Sequence, residues 1–202
     1  MADIEVAGRK YIISSIEDAI EGGVSLVQLR AKNLVSREYL ELSIKAREIT
    51  KTKNIPLIIN DRVDIALSCK ADGVHLGQDD LPVSQARNIL GKKKLIGVSV
   101  HTEKEAEEAE HRGADYLGVG PIYFTQTKKD LRPPLGLEGF REIRKRIRIP
   151  ILAIGGINAE NAGEIIAAGA DGIAVVSAIL ASENIIKAAQ DLNQAISQMG
   201  ND

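Results

Sequence analysis

Seven apolar, β-rich runs of four to seven residues alternate with helical patterns along the chain, Ala-Asp precedes three of these runs, and nearly every run ends in polar or glycine residues. These observations predict an α/β fold, a (β/α)8 TIM barrel whose parallel strands are covered by helices. An open doubly wound sheet is the competing arrangement. No G-x-G-x-x-G follows the first strand, and polar clusters follow nearly every strand instead of one crossover, so the barrel is preferred.

Strands are expected at "VSLVQLR" (24–30), "IPLIIN" (55–60), "GVHL" (73–76), "LIGVSV" (95–100), "YLGVGPI" (116–122), "IPILAIG" (149–155) and "GIAVVSA" (172–178). Helices are expected near 11–22, 36–53, 61–69, 83–90, 102–112, 137–146, 158–168 and 184–198. Thr102 with Glu105 forms a capping box that fixes one helix start. The strands are unbroken apolar runs, as sheets buried on both faces require. "KADGVHL", "RGADYLGV" and "AGADGIAV" repeat one pattern, with Ala at 71, 114 and 170. Spacings of 43 and 56 residues exceed a solenoid period and suit successive units of one barrel. An eighth strand should precede the helix at 11–22, yet residues 1–9 offer only "IEV". The first strand is therefore expected to be missing or degenerate, leaving a gap or a poorly paired edge between the strands at 24–30 and 172–178.

The 202 residues fit one domain, 1–202. Aromatics are 3% with no Trp, so the core must be built from Ile, Val, Leu and Ala. A net charge of −2 argues against a nucleic-acid partner. Residues 165–181, the longest near-apolar run, contain Asp171 and three glycines, which argues against a membrane span. No signal peptide is recognised, so a cytoplasmic location is expected. The single Cys69 is read as a buried, inert thiol.

In a barrel of this kind chemistry sits at the C-terminal strand ends. Those ends carry Gln28, Arg30 and Lys32; Asn60 and Asp61; His75, Gln78, Asp79 and Asp80; Ser99, His101 and Thr102; Thr125, Thr127 and Lys128; Gly155 and Gly156; and Ser177, while the opposite ends read as bland. Arg30 and Lys32, two residues apart, suit a dianion such as pyrophosphate, the alternative being a solvated strand end. Asp61 and Asp80 offer hard oxygen ligands for Mg²⁺ that keeps most of its waters. Asp61 and Asp79 could instead be helix caps. "AIGGIN" with Ser177 on the next strand resembles a phosphate cup, although a Gly-Gly pair can also serve tight packing. His75 and His101 lack a second ligand at metal spacing and are read as packing or hydrogen-bonding residues. Two anion sites in one cavity follow: one cationic with a metal, one of glycines and hydroxyls. The long segment "GPIYFTQTKKDLRPP" (120–134) lies between them in strand order.

Seven motifs, "VQLRAKN", "LIINDRVDIAL", "ADGVHLGQDDLP", "IGVSVHT", "ADYLGVGPIYFTQTKKD", "PILAIGGIN" and "ADGIAVVSAI", together resemble the thiamine phosphate synthase family over residues 10–182. The resemblance implies a transferase of thiamine biosynthesis acting on two phosphorylated small molecules. It would join 4-amino-2-methyl-5-(diphosphooxymethyl)pyrimidine to 4-methyl-5-(2-phosphooxyethyl)thiazole, giving thiamine phosphate and pyrophosphate by dissociative loss of pyrophosphate with Mg²⁺. By motif, Gln28, Leu29, Arg30, Ala31, Lys32 and Asn60 would hold the pyrimidine pyrophosphate, with Ser99 and Lys128. Arg30, Lys32, Ser99 and Lys128 would be catalytic, and Asp61 and Asp80 would bind Mg²⁺. Thr125, Gln126, Thr127, Gly156, Val176 and Ser177 would contact the thiazole phosphate. The chain departs from the family pattern at Ala31, where Glu is usual, and at Phe124, where Pro is usual. "MAD" begins where the family's first strand would end, which points to a start assigned too late or a shortened chain. The rival readings are a thiazole tautomerase-like enzyme and a non-catalytic thiamine-phosphate binding protein; retention of Arg30, Lys32, Asp61, Asp80 and Lys128 favours the synthase over the tautomerase. A homo-oligomer is compatible with the sequence.

Overall fold

The computed structural model of the chain describes residues 1–125, 127 and 132–197. Eight parallel strands form one curled sheet in sequence order: β1 (Ala2–Asp3), β2 (Val27–Arg30), β3 (Leu57–Asn60), β4 (Gly73–Leu76), β5 (Leu95–Val100), β6 (Tyr116–Val119), β7 (Ile151–Ile154) and β8 (Gly172–Ala174). Among the described residues ten helices accompany them: α1 (Ile4–Ala7), α2 (Ile12–Glu21), α3 (Ser36–Thr52), α4 (Val63–Ser68), α5 (Val83–Leu90), α6 (Glu103–His111), α7 (Gly136–Arg146), α8 (Ala162–Ala167), α9 (Ser177–Leu180) and α10 (Ile185–Ser197). This is the TIM-type arrangement that the βα alternation predicts. Alternation along each strand sorts the side chains: Arg30, Asn60, Ser99, Gly118 and Ile154 face the interior cavity, while Leu29, Ile59, Val98, Leu117 and Ala153 are buried beneath the helices. Each buried aliphatic side chain contributes about 1.5–3 kcal/mol, so these outward rows hold the helices on.

The first strand differs from expectation. It exists, but it is only Ala2–Asp3, in register with Leu29 and Arg30 of β2. "IEV" is not a strand but opens α1, because the Asp3 side chain accepts from the Glu5 N–H at 2.9 Å and caps that helix. Among the described residues no ladder joins β1 to β8; the Met1 ammonium donates to the Val175 carbonyl at 2.6 Å across this seam. Outside the seam α10 packs on α2, where a Cβ on Gly22 would lie 2.5 Å from the Ile186 carbonyl oxygen. The Asn193 amide ties the same helices by donating to the Gly22 carbonyl at 3.1 Å. A helix pair thus closes what strand pairing leaves open. The run expected to be strand through 178 stops at Ala174, since Val176 turns away from extended geometry and Ser177 starts α9.

The repeated Ala-Asp has a structural meaning, and it corrects the impression that the opposite strand ends are bland. Asp72 accepts from the Leu57 N–H at 2.8 Å and from Arg47 of α3 at 2.5 and 3.0 Å. Asp115 accepts from the Ile96 N–H at 2.7 Å and Arg87 of α5 at 2.5 Å. Asp171 accepts from the Ile151 N–H at 2.8 Å and Arg144 of α7 at 2.9 Å. Each Asp therefore satisfies a backbone donor at the start of the preceding strand and latches a helix to it. The latch recurs every second βα unit, which is why the spacings span about two units. The capping box at Thr102 and Glu105 is formed as expected, and Cys69 is buried.

Candidate active site

A cavity of about 1440 Å³ opens at the C-terminal strand ends. Arg30, Lys32, Asn60, Asp61, Asp80, Ser99, Thr125, Thr127, Gly156, Val176 and Ser177 all line it, so most of the residues singled out from the sequence converge on one space. Gln126 and Lys128 lie outside the described residues.

One side of the cavity is cationic. Arg30 is the last residue of β2 and only 8% exposed; its Nη1 donates to Asp3 Oδ2 at 2.6 Å, with Glu5 Oε2 3.7 Å away. Glu5 in turn accepts from Asn33 Nδ2 at 2.6 Å. Asp3 is 1% exposed, so it and Arg30 need each other as buried counter-charges, and the guanidinium is fixed in direction. Lys32 lies more openly, its Nζ 3.5 Å from Asp61 Oδ2. Sequence reading had no reason to single out Asp3 and Glu5; they belong to the two-residue strand and the short helix that its pattern obscured.

Asp61 follows β3 in the left-handed region, φ 64°, an uncommon conformation outside glycine that Asp tolerates better than most. Its N–H donates to the His75 carbonyl at 2.8 Å, and its carboxyl meets that of Asp80. Burial first, then the hydrogen bond and negative charge of Asp80, push the Asp61 carboxyl above its ordinary range, while Lys32 pulls the other way. Asp80 is itself aimed by the Gly77 N–H, 2.6 Å from its Oδ2. Neither Asp61 nor Asp79 caps a helix: Arg62 and Pro82 occupy the cap positions of α4 and α5. Among the described residues no group of three or more His, Cys, Asp or Glu gathers into a metal cluster. Two facing carboxyl groups are a donor set that a divalent oxygen-seeking cation fits, with water and ligand oxygens completing its shell.

The other side is built from glycine and hydroxyl. Gly155 and Gly156 have φ of 100° and 68°, and added Cβ atoms would lie 2.6 Å from Pro121 Cα and 2.6 Å from the Phe124 carbonyl oxygen. The pair therefore serves close packing and also forms cavity wall, so the two readings of it coexist. Ser177 Oγ accepts from Thr127 Oγ1 at 3.3 Å. The connection carrying Thr125 and Thr127 is pinned at both ends. Ile122 and Tyr123 N–H donate to the Ile154 and Gly155 carbonyls at 2.9 and 3.0 Å, and Leu135 and Gly136 N–H return to Pro121 and Ile122, both at 2.9 Å. Phe124 is 73% exposed and does not plug the site.

Gln28, Leu29 and Ala31 are not among the cavity-lining residues. Leu29 and Ala31 are buried, the Leu29 carbonyl accepting from the Tyr39 hydroxyl at 2.8 Å, and the Gln28 side chain interacts with Tyr116. His101 bonds the Gly120 carbonyl through Nδ1 at 3.1 Å, the hydrogen-bonding role expected of it.

A family profile described as "Thiamine monophosphate synthase" matches residues 2–179. The chain is 53% identical over 183 residues to the thiamine-phosphate synthase of Clostridium novyi (strain NT), covering 91% of this chain and 90% of that protein. It is 52% identical over 182 residues to the thiamine-phosphate synthase of Chloroflexus aurantiacus (strain ATCC 29366 / DSM 635 / J-10-fl), covering 90% and 84%. Among solved structures, thiamine phosphate pyrophosphorylase from Pyrococcus furiosus superposes with a TM-score of 0.89 at 38% identity, over 98% of this chain and 94% of that one. A 3-hexulose-6-phosphate synthase, 18% identical with a TM-score of 0.71, shares the fold alone. The chain belongs to the thiamine monophosphate synthase family, a family of transferases.

Proposed function

We propose that the protein joins the phosphorylated thiazole to the pyrimidine diphosphate, 4-methyl-5-(2-phosphooxyethyl)thiazole to 4-amino-2-methyl-5-(diphosphooxymethyl)pyrimidine, forming thiamine phosphate and pyrophosphate. The observation that carries this reading is the meeting, in one cavity, of a cationic end with paired carboxylates and a glycine-hydroxyl end. The pyrophosphate of the pyrimidine would lie against Arg30, Lys32, Ser99 and Lys128, and the thiazole phosphate against Thr125, Gln126, Thr127, Gly156, Val176 and Ser177. Asp61 and Asp80 would hold Mg²⁺, which when bound supplies positive charge beside the leaving group. The methylene carbon–oxygen bond breaks with its electron pair going to pyrophosphate, the amino-substituted ring stabilises the positive carbon, and the thiazole nitrogen pair forms the new carbon–nitrogen bond. Such a step needs no protein nucleophile. It needs donors fixed where charge develops, and Arg30, held on Asp3, meets that need. Thr125 and Thr127 line the cavity, where they would limit access of water to the positive carbon. Gln28, Leu29, Ala31 and Asn60 are assigned to the pyrimidine side. The reaction is taken to be cytoplasmic; among the described residues no helix is long and apolar enough to cross a membrane.

The test is direct. Purified protein given both substrates and Mg²⁺ should release thiamine phosphate and pyrophosphate in equal amounts, and excess chelator should stop turnover until Mg²⁺ is restored. Undiminished turnover in chelator, or binding of both substrates without product, would overturn the reading.

A further inference from the structure

Beneath the cationic end runs a line of polar side chains inside the barrel that the proposed reaction does not use directly. His75 Nδ1 lies 3.0 Å from the Tyr116 hydroxyl, and His75 Nε2 lies 2.9 Å from Ser99 Oγ. His75 and Tyr116 are each 7% exposed, with ring centroids 5.4 Å apart at a 40° tilt. Both rings have space made for them: a Cβ on Gly97 would sit 2.1 Å from Tyr116 Cζ, and one on Gly118 would sit 2.9 Å from His75 Cε1. Ser99 lines the cavity, and neither His75 nor Tyr116 does. The Ser99 carbonyl is itself held by Gln78 Nε2 at 2.7 Å, which fixes the backbone and leaves the hydroxyl hydrogen as the free variable.

We propose that Tyr116 and His75 are positioning residues that fix the direction of the Ser99 hydroxyl, so that it donates into the cavity. A neutral imidazole donates from one nitrogen and accepts at the other, so this chain can run in only two senses. In the first, the Tyr116 O–H donates to His75 Nδ1, His75 Nε2–H donates to Ser99 Oγ, and the Ser99 O–H points to the ligand. In the second, Ser99 spends its hydrogen on His75 and presents lone pairs to an anion, which repels it. Two features select the first sense. A phenol is a stronger hydrogen-bond donor and a poorer acceptor than an aliphatic hydroxyl, so the acceptor nitrogen of the imidazole faces Tyr116 and its N–H faces Ser99. Burial holds the Tyr116 phenol protonated far above neutral pH, so that hydrogen stays available. The proposal rests on Ser99 as a donor to pyrophosphate, the part the proposed function gives it.

The chain has three histidines, so the ring nitrogens of His75 can be assigned by long-range ¹⁵N NMR. In the ligand-free protein at neutral pH, His75 is expected as the Nε2–H tautomer, and Tyr116→Phe is expected to shift it toward Nδ1–H. In turnover, Tyr116→Phe should lower kcat roughly ten- to hundredfold while the KM for the thiazole phosphate stays within about twofold, the size of one misdirected bond to a charged group. The Tyr116→Phe, Ser99→Ala double variant should be no slower than Ser99→Ala alone. His75→Gln, whose side-chain amide can donate to Ser99 without Tyr116, should retain more activity than His75→Ala and be insensitive to Tyr116→Phe. An Nδ1–H tautomer in the unsubstituted protein, or additive losses in the double variant, would overturn the proposal. The tautomer is read without substrate, so absence of turnover beside an Nε2–H His75 would refute the synthase reading and leave the hydrogen-bond direction standing.

Discussion

Asp61 shows what one position contributes. A non-glycine residue at φ 64° costs local backbone energy, and here it brings a carboxyl against Asp80 inside the cavity. Because its folded pKa lies above the unfolded value of about 3.9, Asp61 contributes stability that is present below that value and lost as pH rises through the raised one. At neutral pH the ionised pair works against the fold. Asp61→Asn keeps a residue suited to the left-handed region and removes the repulsion. In chelator at neutral pH it is expected to melt higher by about 2–4 °C, on the order of 1 kcal/mol, with the gain disappearing below about pH 4. Mg²⁺ should raise the melting temperature of the unsubstituted protein and not that of the variant, and turnover should fall on the order of 10²-fold or more. A variant less stable than the parent at neutral pH in chelator would contradict this account. The carboxylates were legible in the sequence because each follows an apolar run at a strand's C-terminal end. Their electrostatic coupling was not, since Asp61 and Asp80 meet only when β3 and β4 pair. Asp3 was illegible for the same reason: its partner Arg30 is 27 positions away.

At the scale of elements, periodicity located almost every helix and strand, and it failed where an element is too short to have a period. Two residues of β1 and the four of α1 carry no repeat, so a cap at Asp3 decided their form instead. The Ala-Asp repeat was visible as a pattern, but its purpose was hidden until Arg47, Arg87 and Arg144 were seen to close on Asp72, Asp115 and Asp171. Those latches sit at the end of the barrel away from the cavity, where stability and not chemistry is expected to be served. Asp72→Ala, which removes the acceptor of the Leu57 amide and both Arg47 bonds, should cost about 1–3 kcal/mol, a fall of several degrees in melting temperature, with kcat/KM unchanged. A loss of activity without a loss of stability would reassign the latch to the site. The seam makes its own prediction. β8 is half-buried along its length and lacks a described ladder to β1, whereas β4 is buried throughout and paired on both sides. Amide exchange should therefore be faster at Ile173 and Ala174 than at Val74 and His75. Equal protection would show that the helix pair α2 and α10 closes the seam as firmly as strand pairing does.

For the whole molecule, the barrel brings a cationic end and a glycine-hydroxyl end to one cavity from opposite parts of the chain, β2 to β5 on one side and the segment after β6 through α9 on the other. The two ends hold different parts of the reaction in the proposed function, so they should fail differently. Ser177 contributes one hydroxyl at the entrance of α9, shared with Thr127. Ser177→Ala should raise the KM for the thiazole phosphate roughly ten- to hundredfold, the worth of a bond to a charged group, and leave kcat little changed because that phosphate gains no charge during the reaction. Arg30 calls for a milder substitution than alanine. Its removal would strand Asp3, which is 1% exposed, and breaking such a buried pair costs about 3–5 kcal/mol, enough to confuse kinetics with unfolding. Arg30→Lys leaves a cation for Asp3 but gives up the planar fork that can serve Asp3 and a phosphate oxygen together. It should therefore fold, bind the thiazole phosphate with unchanged KM, and lose kcat by about 10²-fold, as pyrophosphate departs without its fixed donor. Steady-state kinetics with each substrate varied in turn separates these outcomes. The same signature from both variants would mean that the cavity is one undivided anion site and that the assignment of its ends is wrong.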